Sequence, residues 1–521
     1  MKSVKMSAVL AALLYSSSSG SALAQQTPVD PSERCDTETM QGMAPAGTTV
    51  AFAAREGDAL CRVYGYVTTR DPGPNKVLFT LALPSAFSGR YVYLGVGGAA
   101  GNLPRLRPEL LAKGYAVSGS DGGSGSKNWS DFSFRGDPAR REDFFGRGVH
   151  VVAQATQQIT RTYYDRPKIF RYISGCSGGG QMGLANAMRF AVQDFDGFVV
   201  GATPLTGMTV YGMNAFTLAQ HLQNHPEAWI SPDQLKQLDA AILAAYDDSD
   251  GARDGIIADQ RGIGKFDDGI LRKAGLTPAQ IEMFHMISTP RALPKADGGT
   301  MVQPGYPITD VELWAKYIFG YTPPPWPNTQ SHSASYVMKK GAPYFHVMAD
   351  TNTRVVEPNT DYTKLGPRDL ARIANATMGA HPLIPDPDAA MRAFAGSGGR
   401  MIIYHGVDDE AMSYLETLRN HQELAKAYPT LDAWQRTYAM PGLRHCRGGP
   451  GTTNSEEPLI EAVANWVEKN EAPQELIARR ETPERGHERD FLLCPEPKRA
   501  FLKTPGSNPA EPKNWECRPA S

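Results

Sequence analysis

The chain has 521 residues, and its 53 Lys and Arg nearly balance 55 Asp and Glu, for a formal net charge of −2. That length exceeds one small domain, so about two to four structural units are expected. At 41% hydrophobic and 21% charged residues the composition is that of a soluble globular protein; with no basic stripe and no acidic tail it argues against a nucleic-acid partner and leaves small neutral or weakly anionic ligands open.

Residues 1–24 read as a cleavable export signal. Lys2 and Lys5 supply the positive start, and Met6 to Tyr15 the apolar core. Ser21-Ala22-Leu23-Ala24 ends in an A-x-A-type cleavage site. The apolar run is too short to span a bilayer, so a secreted or periplasmic protein without a membrane partner is expected.

A core segment, 25–202, follows. β-forming residues predict strands over Thr48–Ala54, Cys61–Thr69, Val77–Leu83, Arg90–Val96 and Tyr115–Ser120. Val149, Val152, Ala153 and Ile159 fall at helical spacing and predict a long helix over Phe144–Tyr164. A strand over Lys168–Ser174, a helix over Gln181–Phe190 and a strand over Asp196–Gly201 come next. This alternation predicts a parallel sheet covered on both faces. Over 203–397 the rhythm breaks into Pro-, Gly-, Trp- and Asn-rich sequence, with scattered helices such as Pro232–Tyr246 and Thr277–Ile287. Core sequence resumes over 398–475, with strands at Arg400–Tyr404 and Trp434–Met440 and a helix at Leu459–Lys469. Residues 476–521 form a charged, Pro-rich tail that Cys494 and Cys517 could staple.

The chain is organised around Gly175-Cys176-Ser177-Gly178-Gly179. A serine between small residues, at a strand-turn-helix junction, is the nucleophile elbow of an α/β hydrolase. The turn tolerates only small neighbours and lifts the hydroxyl clear of the sheet. The expected fold is therefore an α/β-hydrolase core with a large lid inserted between the nucleophile and acid strands. A serine hydroxyl needs a base, and the base needs an orienting acid, in the chain order Ser, Asp or Glu, His. Asp409, in Tyr404-His405-Gly406-Val407-Asp408-Asp409, is the candidate acid, with Asp408 the alternative. His445, in Pro441-Gly442-Leu443-Arg444-His445-Cys446, is the candidate base, and His405 reads as a loop-shaping residue. Both loops follow predicted strands at the end where such sheets place their sites. The expected oxyanion donors are the N–H of Gly178 and one from the Gly97–Gly101 loop, with Gly98 the choice.

The six cysteines are Cys35, Cys61, Cys176, Cys446, Cys494 and Cys517, an even count that suggests three disulfides in an exported chain. Cys176 adjoins the nucleophile and Cys446 the base. A bond between them would clamp the two across the lid and remove up to about 5 kcal/mol of unfolded-state entropy. The stretch Asp247-Asp248-Ser249-Asp250-Gly251-Ala252-Arg253-Asp254-Gly255-Ile256 crowds carboxylates that repel without a cation. Asp247, Asp250 and Asp254, with the carbonyls of Ala252 and Ile256, could wrap Ca2+.

Together these residues resemble the tannase and feruloyl esterase family. Its Cys-Ser, Asp, His-Cys arrangement maps onto Cys176-Ser177, Asp409 and His445-Cys446, with flanks Gly-Cys-Ser-Gly-Gly-Gly at 175–180, His-Gly-x-x-Asp at 405–409 and Pro-Gly-x-x-His-Cys-x-Gly-Gly-Pro-Gly at 441–451. The resemblance implies a Cys176–Cys446 disulfide beside the triad, and the expected set includes Cys35–Cys61 and Cys494–Cys517. It also implies a structural calcium in the lid, on an Asp-x-x-Asp-Gly-x-x-Asp-Gly loop that 247–255 matches, and no organic cofactor. Three positions depart from the family pattern: Tyr246 stands for a frequent Cys, Gln181 for Arg, and Ser124 for the His of Asp-x-Gly-His. None lies in the triad.

The resemblance implies an exported serine esterase acting on small aromatic carboxylic esters of the feruloyl type. Gallate esters and mono(2-hydroxyethyl) terephthalate are the alternatives within enzymes. A catalytically silent protein that holds aromatic ligands is the alternative outside them. Met412, Trp314 and Trp326 are candidate substrate-binding residues.

Overall fold

The computed structural model describes residues 31–203, 208–378, 384, 386–453, 456–482 and 486–519. The export signal expected at 1–24 lies outside these residues. Among the described residues no helix is long and apolar enough to cross a membrane.

Chain connectivity decides the first edge of the sheet. β1 (Thr48–Glu56), β2 (Leu60–Thr69) and β3 (Asn75–Pro84) pair antiparallel as a meander. The links 57–59 and 70–74 are too short for a crossover, which needs a dozen residues or more. The α/β-hydrolase sheet is thus parallel as expected over most of its width and antiparallel at this edge. From β4 (Arg90–Leu94) onward it is parallel, through β5 (Ala116–Ser120), β6 (Phe170–Cys176), β7 (Gly197–Gly201), β10 (Arg400–Gly406) and β11 (Gln435–Met440). The nine strands lie in the order β1-β2-β3-β5-β4-β6-β7-β10-β11. β7 and the body of β10 are buried throughout, as strands covered on both faces must be.

The long helix begins later than its apolar spacing predicts. Gly146 sits at φ 134° and Phe145 leaves the helical region, so regular helix runs over Gly148–Tyr163. It covers one face of the sheet with the helix Gly178–Phe190, which leaves the tip of β6. The helix Glu456–Lys469 covers the other face, beside Tyr172, Val199 and Ile402.

The chain leaves the sheet after β7 and re-enters beside it at β10, so the lid is inserted between neighbouring strands. The lid is more helical than its composition suggests. Besides Pro232–Tyr246 and Pro278–Ser288 it contains the helices Met208–Asn224, Tyr344–Val356, Pro367–Met378 and Pro387–Gly396, and a small ribbon of β8 (Arg291–Pro294) and β9 (Thr300–Gln303). The two helices legible from sequence carry complete capping boxes, Ser231 with Gln234 and Thr277 with Gln280, each followed by Pro at the first turn. The tail is two antiparallel ribbons, β12 (Leu476–Thr482) with β13 (Gly486–Leu493), and β14 (Lys498–Leu502) with β15 (Trp515–Pro519). Cys494–Cys517 joins the two ribbons, and Cys35–Cys61 ties the N-terminal segment to β2.

Candidate active site

Ser177 follows β6 at φ 59° and ψ −123°, a conformation that side-chain-bearing residues rarely adopt. Close packing explains its neighbours. A Cβ on Gly175 would come within 2.5 Å of Gly179, and one on Gly179 within 2.7 Å of Gly95. The β6 tip, the β4 loop and the helix start therefore interlock through bare backbone. The Ser177 N–H donates to Gly201 O at 2.9 Å, which fixes the turn against β7.

Asp409 follows β10 and His445 follows β11. Asp409 Oδ1 accepts the N–H groups of Ala411 and Met412 at 2.9 and 2.8 Å. Its Oδ2 lies 2.8 Å from His445 Nδ1, and His445 Nε2 lies 2.9 Å from Ser177 Oγ. With Nδ1 facing a carboxylate the ring proton sits there, and Nε2 is left to accept from the serine. Burial alone would push the Asp409 carboxyl up. The His445 charge and the hydrogen bonds from His405 and His445 outweigh it and hold the carboxyl well below the usual range. Burial presses His445 down, but the Asp409 charge, its hydrogen bond and the Glu410 charge raise the imidazole above its ordinary value. Cys176 and Cys446 are bonded, with Cα atoms 5.8 Å apart, and join the nucleophile turn to the base loop.

The alternative acid, Asp408, is buried, and it is Asp409 that hydrogen-bonds the His445 ring. Burial, and then the charge of Asp310, lift the Asp408 carboxyl well above the usual range. His405 does more than shape its loop. Its Nε2 reaches Met412 O at 3.0 Å and Asp409 Oδ2 at 3.2 Å, while Nδ1 faces Thr417 Oγ1 at 2.7 Å. Glu410, which the sequence reading passed over, accepts the His445 backbone N–H at 3.1 Å. The lid grips both loops: Tyr306 donates to Ala411 O at 2.9 Å, and Arg444 pairs with Asp310 at 2.7 Å.

Gly98 lies at φ 61°, and a Cβ on Gly178 would meet its O at 2.8 Å and its N at 3.1 Å. The two glycines thus sit backbone to backbone beside Ser177, and both line the same cavity. Neither N–H has a backbone acceptor among the described residues.

That cavity has a volume of about 720 Å³, within the range of small-molecule sites. Trp129, Phe132, Tyr211, Tyr317 and Tyr344 supply its aromatic wall, and Met412 lines it as expected from sequence. The Tyr317 ring stands 6.2 Å from the His445 ring, nearly edge-on. Trp314 and Trp326 are not in this wall. Trp314 is fully buried against Phe284 in the lid core, and Trp326 packs on His346 and donates to Thr322 O. The expectation that they bind substrate is corrected: both are spent on holding the lid together. A cue to the missed residues existed in Asn128-Trp129-Ser130-Asp131-Phe132, an aromatic-bearing polar loop downstream of β5 at the site end of the sheet.

The acidic loop divides its carboxylates. Asp247 Oδ1 is occupied by the N–H groups of Asp254, Gly255 and Ile256 at 3.0–3.2 Å. Asp250 is buried, and burial, with Asp254 nearby, pushes its carboxyl up to about 7. Asp254 pairs with Arg489 at 2.7 Å through one oxygen, while its Oδ1 is buried with no hydrogen-bond partner. The orphaned oxygen and the neighbouring Asp250 fit a cation; Asp247 is turned to the backbone instead. Among the described residues no group of three His, Cys, Asp or Glu side chains is arranged to hold a metal.

The family model described as tannase and feruloyl esterase matches residues 61–517. A probable feruloyl esterase B of Aspergillus clavatus is 28% identical over 483 residues, spanning 88% of this chain and 86% of the relative. A mono(2-hydroxyethyl) terephthalate hydrolase of Piscinibacter sakaiensis is 25% identical over 520 residues, spanning 88% and 84%. The crystal structure of feruloyl esterase B from Aspergillus oryzae superposes with a TM-score of 0.74 at 22% identity, covering 94% of this chain and all of that one. Tannin acyl hydrolase from Aspergillus niger gives 0.65 at 17%, covering 95% and 96%.

Proposed function

The chain belongs to the tannase and feruloyl esterase family, and we propose that it is an exported serine esterase that cleaves aromatic carboxylic esters through an acyl-enzyme on Ser177. One observation carries this reading. Ser177 Oγ, His445 Nε2 and Asp409 form a continuous hydrogen-bonded line at 2.9 and 2.8 Å, at the floor of a cavity walled by rings.

His445 Nε2 takes the Ser177 proton as Oγ attacks the ester carbonyl. The proton already on Nδ1 stays there, and Asp409 holds the resulting imidazolium. The N–H groups of Gly178 and Gly98 receive the oxyanion, and the helix Gly178–Phe190 points its positive end at the same place. His445 then protonates the leaving alcohol, and a water deprotonated by His445 releases the acid. The aromatic wall favours a flat acyl group of the hydroxycinnamoyl kind. Product release from methyl ferulate, methyl gallate and mono(2-hydroxyethyl) terephthalate tests the reading, with Ser177→Ala as blank. Loss of roughly 10^4-fold or more in turnover is expected in that variant. Turnover that the blank matches would overturn it.

Calcium is part of the proposal, supported by the orphaned Asp254 Oδ1 and the buried Asp250 beside it. A bound cation would neutralise those carboxylates and brace the lid loop against the tail. Chelation should lower the melting temperature, and elemental analysis should find about one Ca2+ per chain. An unchanged melt in a metal-free preparation would remove calcium from the account.

A further inference from the structure

Gly98, the second oxyanion donor, is held between two backbones. Gly178 presses on it from the nucleophile side and Trp129 from the other. A Cβ on Gly98 would meet Trp129 O at 2.5 Å and Trp129 Cβ at 3.1 Å, so only glycine fits there. The same Trp129 carbonyl accepts the next N–H of the loop, that of Ala99, at 2.8 Å, and Asp121 O takes the Gly101 N–H at 2.8 Å. The direction of the Gly98 N–H is therefore set by where the Trp129 carbonyl stands. Trp129 itself belongs to no regular element. It lies between β5 and the short turn Ser133–Gly136, in a loop closed on itself by side chains. Ser126 Oγ donates to Asp131 O at 2.8 Å, and the Ser130 N–H and hydroxyl both reach Asn128 Oδ1, at 3.0 and 2.8 Å.

This stretch of chain is fastened to the lid helix Tyr344–Val356 at two points. The Trp129 ring sits 5.3 Å from the Tyr344 ring. Arg135, whose guanidinium stacks over Phe132 at 4.2 Å, donates from Nη1 to Asn352 Oδ1 at 2.6 Å. Trp129 is 44% exposed, whereas Tyr344 and Asn352 are buried, so the lid supplies the fixed side of both contacts. Tyr344 also faces Tyr317 at 5.5 Å, and Tyr317 stands against the His445 ring. We propose that Trp129 is a positioning residue for the oxyanion hole: its ring, seated on Tyr344, fixes the carbonyl behind Gly98 and Ala99, so that the lid takes part in aiming an oxyanion donor. The proposal rests on the esterase reading and gives the lid a role beyond walling the cavity. Oxyanion donors act because they are fixed beforehand, within about 3 Å of where charge develops, and a small misplacement is costly. Trp129 also lines the cavity, so a plain wall residue is the alternative. The two roles part on a reagent that has no ring.

Diisopropyl fluorophosphate is such a reagent. Ser177 Oγ displaces fluoride from its phosphorus, the serine proton passes to His445, and the phosphoryl oxygen takes the place of the oxyanion. Its second-order labelling rate at Ser177, followed by mass spectrometry at a pH above the raised His445 value, reports nucleophile, base and oxyanion hole without the aromatic wall. With the circular dichroism spectrum unchanged, Trp129→Ala should slow labelling by about tenfold and Tyr344→Leu by about threefold, short of the roughly 100-fold or more that a deleted donor costs. Trp129→Phe keeps a ring on Tyr344 and should stay within about twofold of wild type. A wall role predicts the opposite pattern, unchanged labelling with a raised KM for methyl ferulate. Labelling at the wild-type rate in Trp129→Ala or in Tyr344→Leu overturns the proposal while the esterase reading stands. If Trp129→Ala does not fold, Tyr344→Leu decides alone. Wild-type protein that is not labelled at Ser177 overturns both.

Discussion

The core and the lid of this molecule handle their aromatic and polar residues in opposite ways. At the sheet end, each chemical group is fixed by the backbone within a few residues of a strand tip. Ser177 follows β6, Asp409 follows β10 and His445 follows β11, and the glycine contacts around the nucleophile turn leave no room for side chains at Gly175 and Gly179. In the lid, position along the chain says little about position in space. Trp314 and Phe319 are fully buried, while Tyr317 between them faces the cavity. Chemistry is written locally and recognition is written in packing. The two are joined by Cys176–Cys446 and by the hydrogen bonds of Tyr306 and Arg444.

The disulfide is the largest lever on that contrast outside the triad. Cys176→Ala combined with Cys446→Ala should cut kcat/KM by about 100-fold, because a misplaced base loses the serine proton path. Circular dichroism below the melting temperature should show an unchanged fold. Full turnover with both cysteines gone would mean that strand tips alone align the triad. The next lever separates the neighbouring aromatic residues. Tyr317→Leu should lower kcat/KM by about tenfold with little change in the melt, since it removes a cavity wall. Trp314→Ala should destabilise by about 3–5 kcal/mol, the usual size of an emptied aromatic core site. If Tyr317→Leu lowered the melt as far as Trp314→Ala, the division of the lid into wall and core would fail.

The same division explains what was readable from sequence. The triad and its cysteines were legible because an elbow needs Gly175 and Gly179 around a strained serine, and because acid and base loops follow recognisable strands. Pro232–Tyr246 was legible because its start carries its own cap. The antiparallel β1–β3 meander was misread because parallel and antiparallel strands share one residue preference; only the short links differ. The lid tryptophans were misassigned because a large ring serves a core and a cavity equally well. Arg135 was invisible for the opposite reason. One arginine in a polar loop looks solvated until Asn352 and Met378 are brought around it from distant parts of the chain.

The smallest expected effect lies at the seam between local chemistry and packing. Glu410 accepts the His445 backbone N–H, and its charge is one of the forces that raise the imidazole. Its own carboxyl is raised by burial and by the Asp409 charge. His445 must be neutral to act as base, so kcat/KM falls as pH drops through its raised value, above the ordinary 6.5. Glu410→Gln keeps an acceptor for the backbone N–H and removes the charge. The acid limb of the kcat/KM profile should therefore move to lower pH, with the plateau rate at high pH little changed. The direction separates two roles. A limb that moves down shows Glu410 acting through its charge on the base. A plateau that collapses while the limb stays fixed shows Glu410 acting only by positioning the His445 backbone, and the electrostatic account of the raised imidazole would then rest on Asp409 alone.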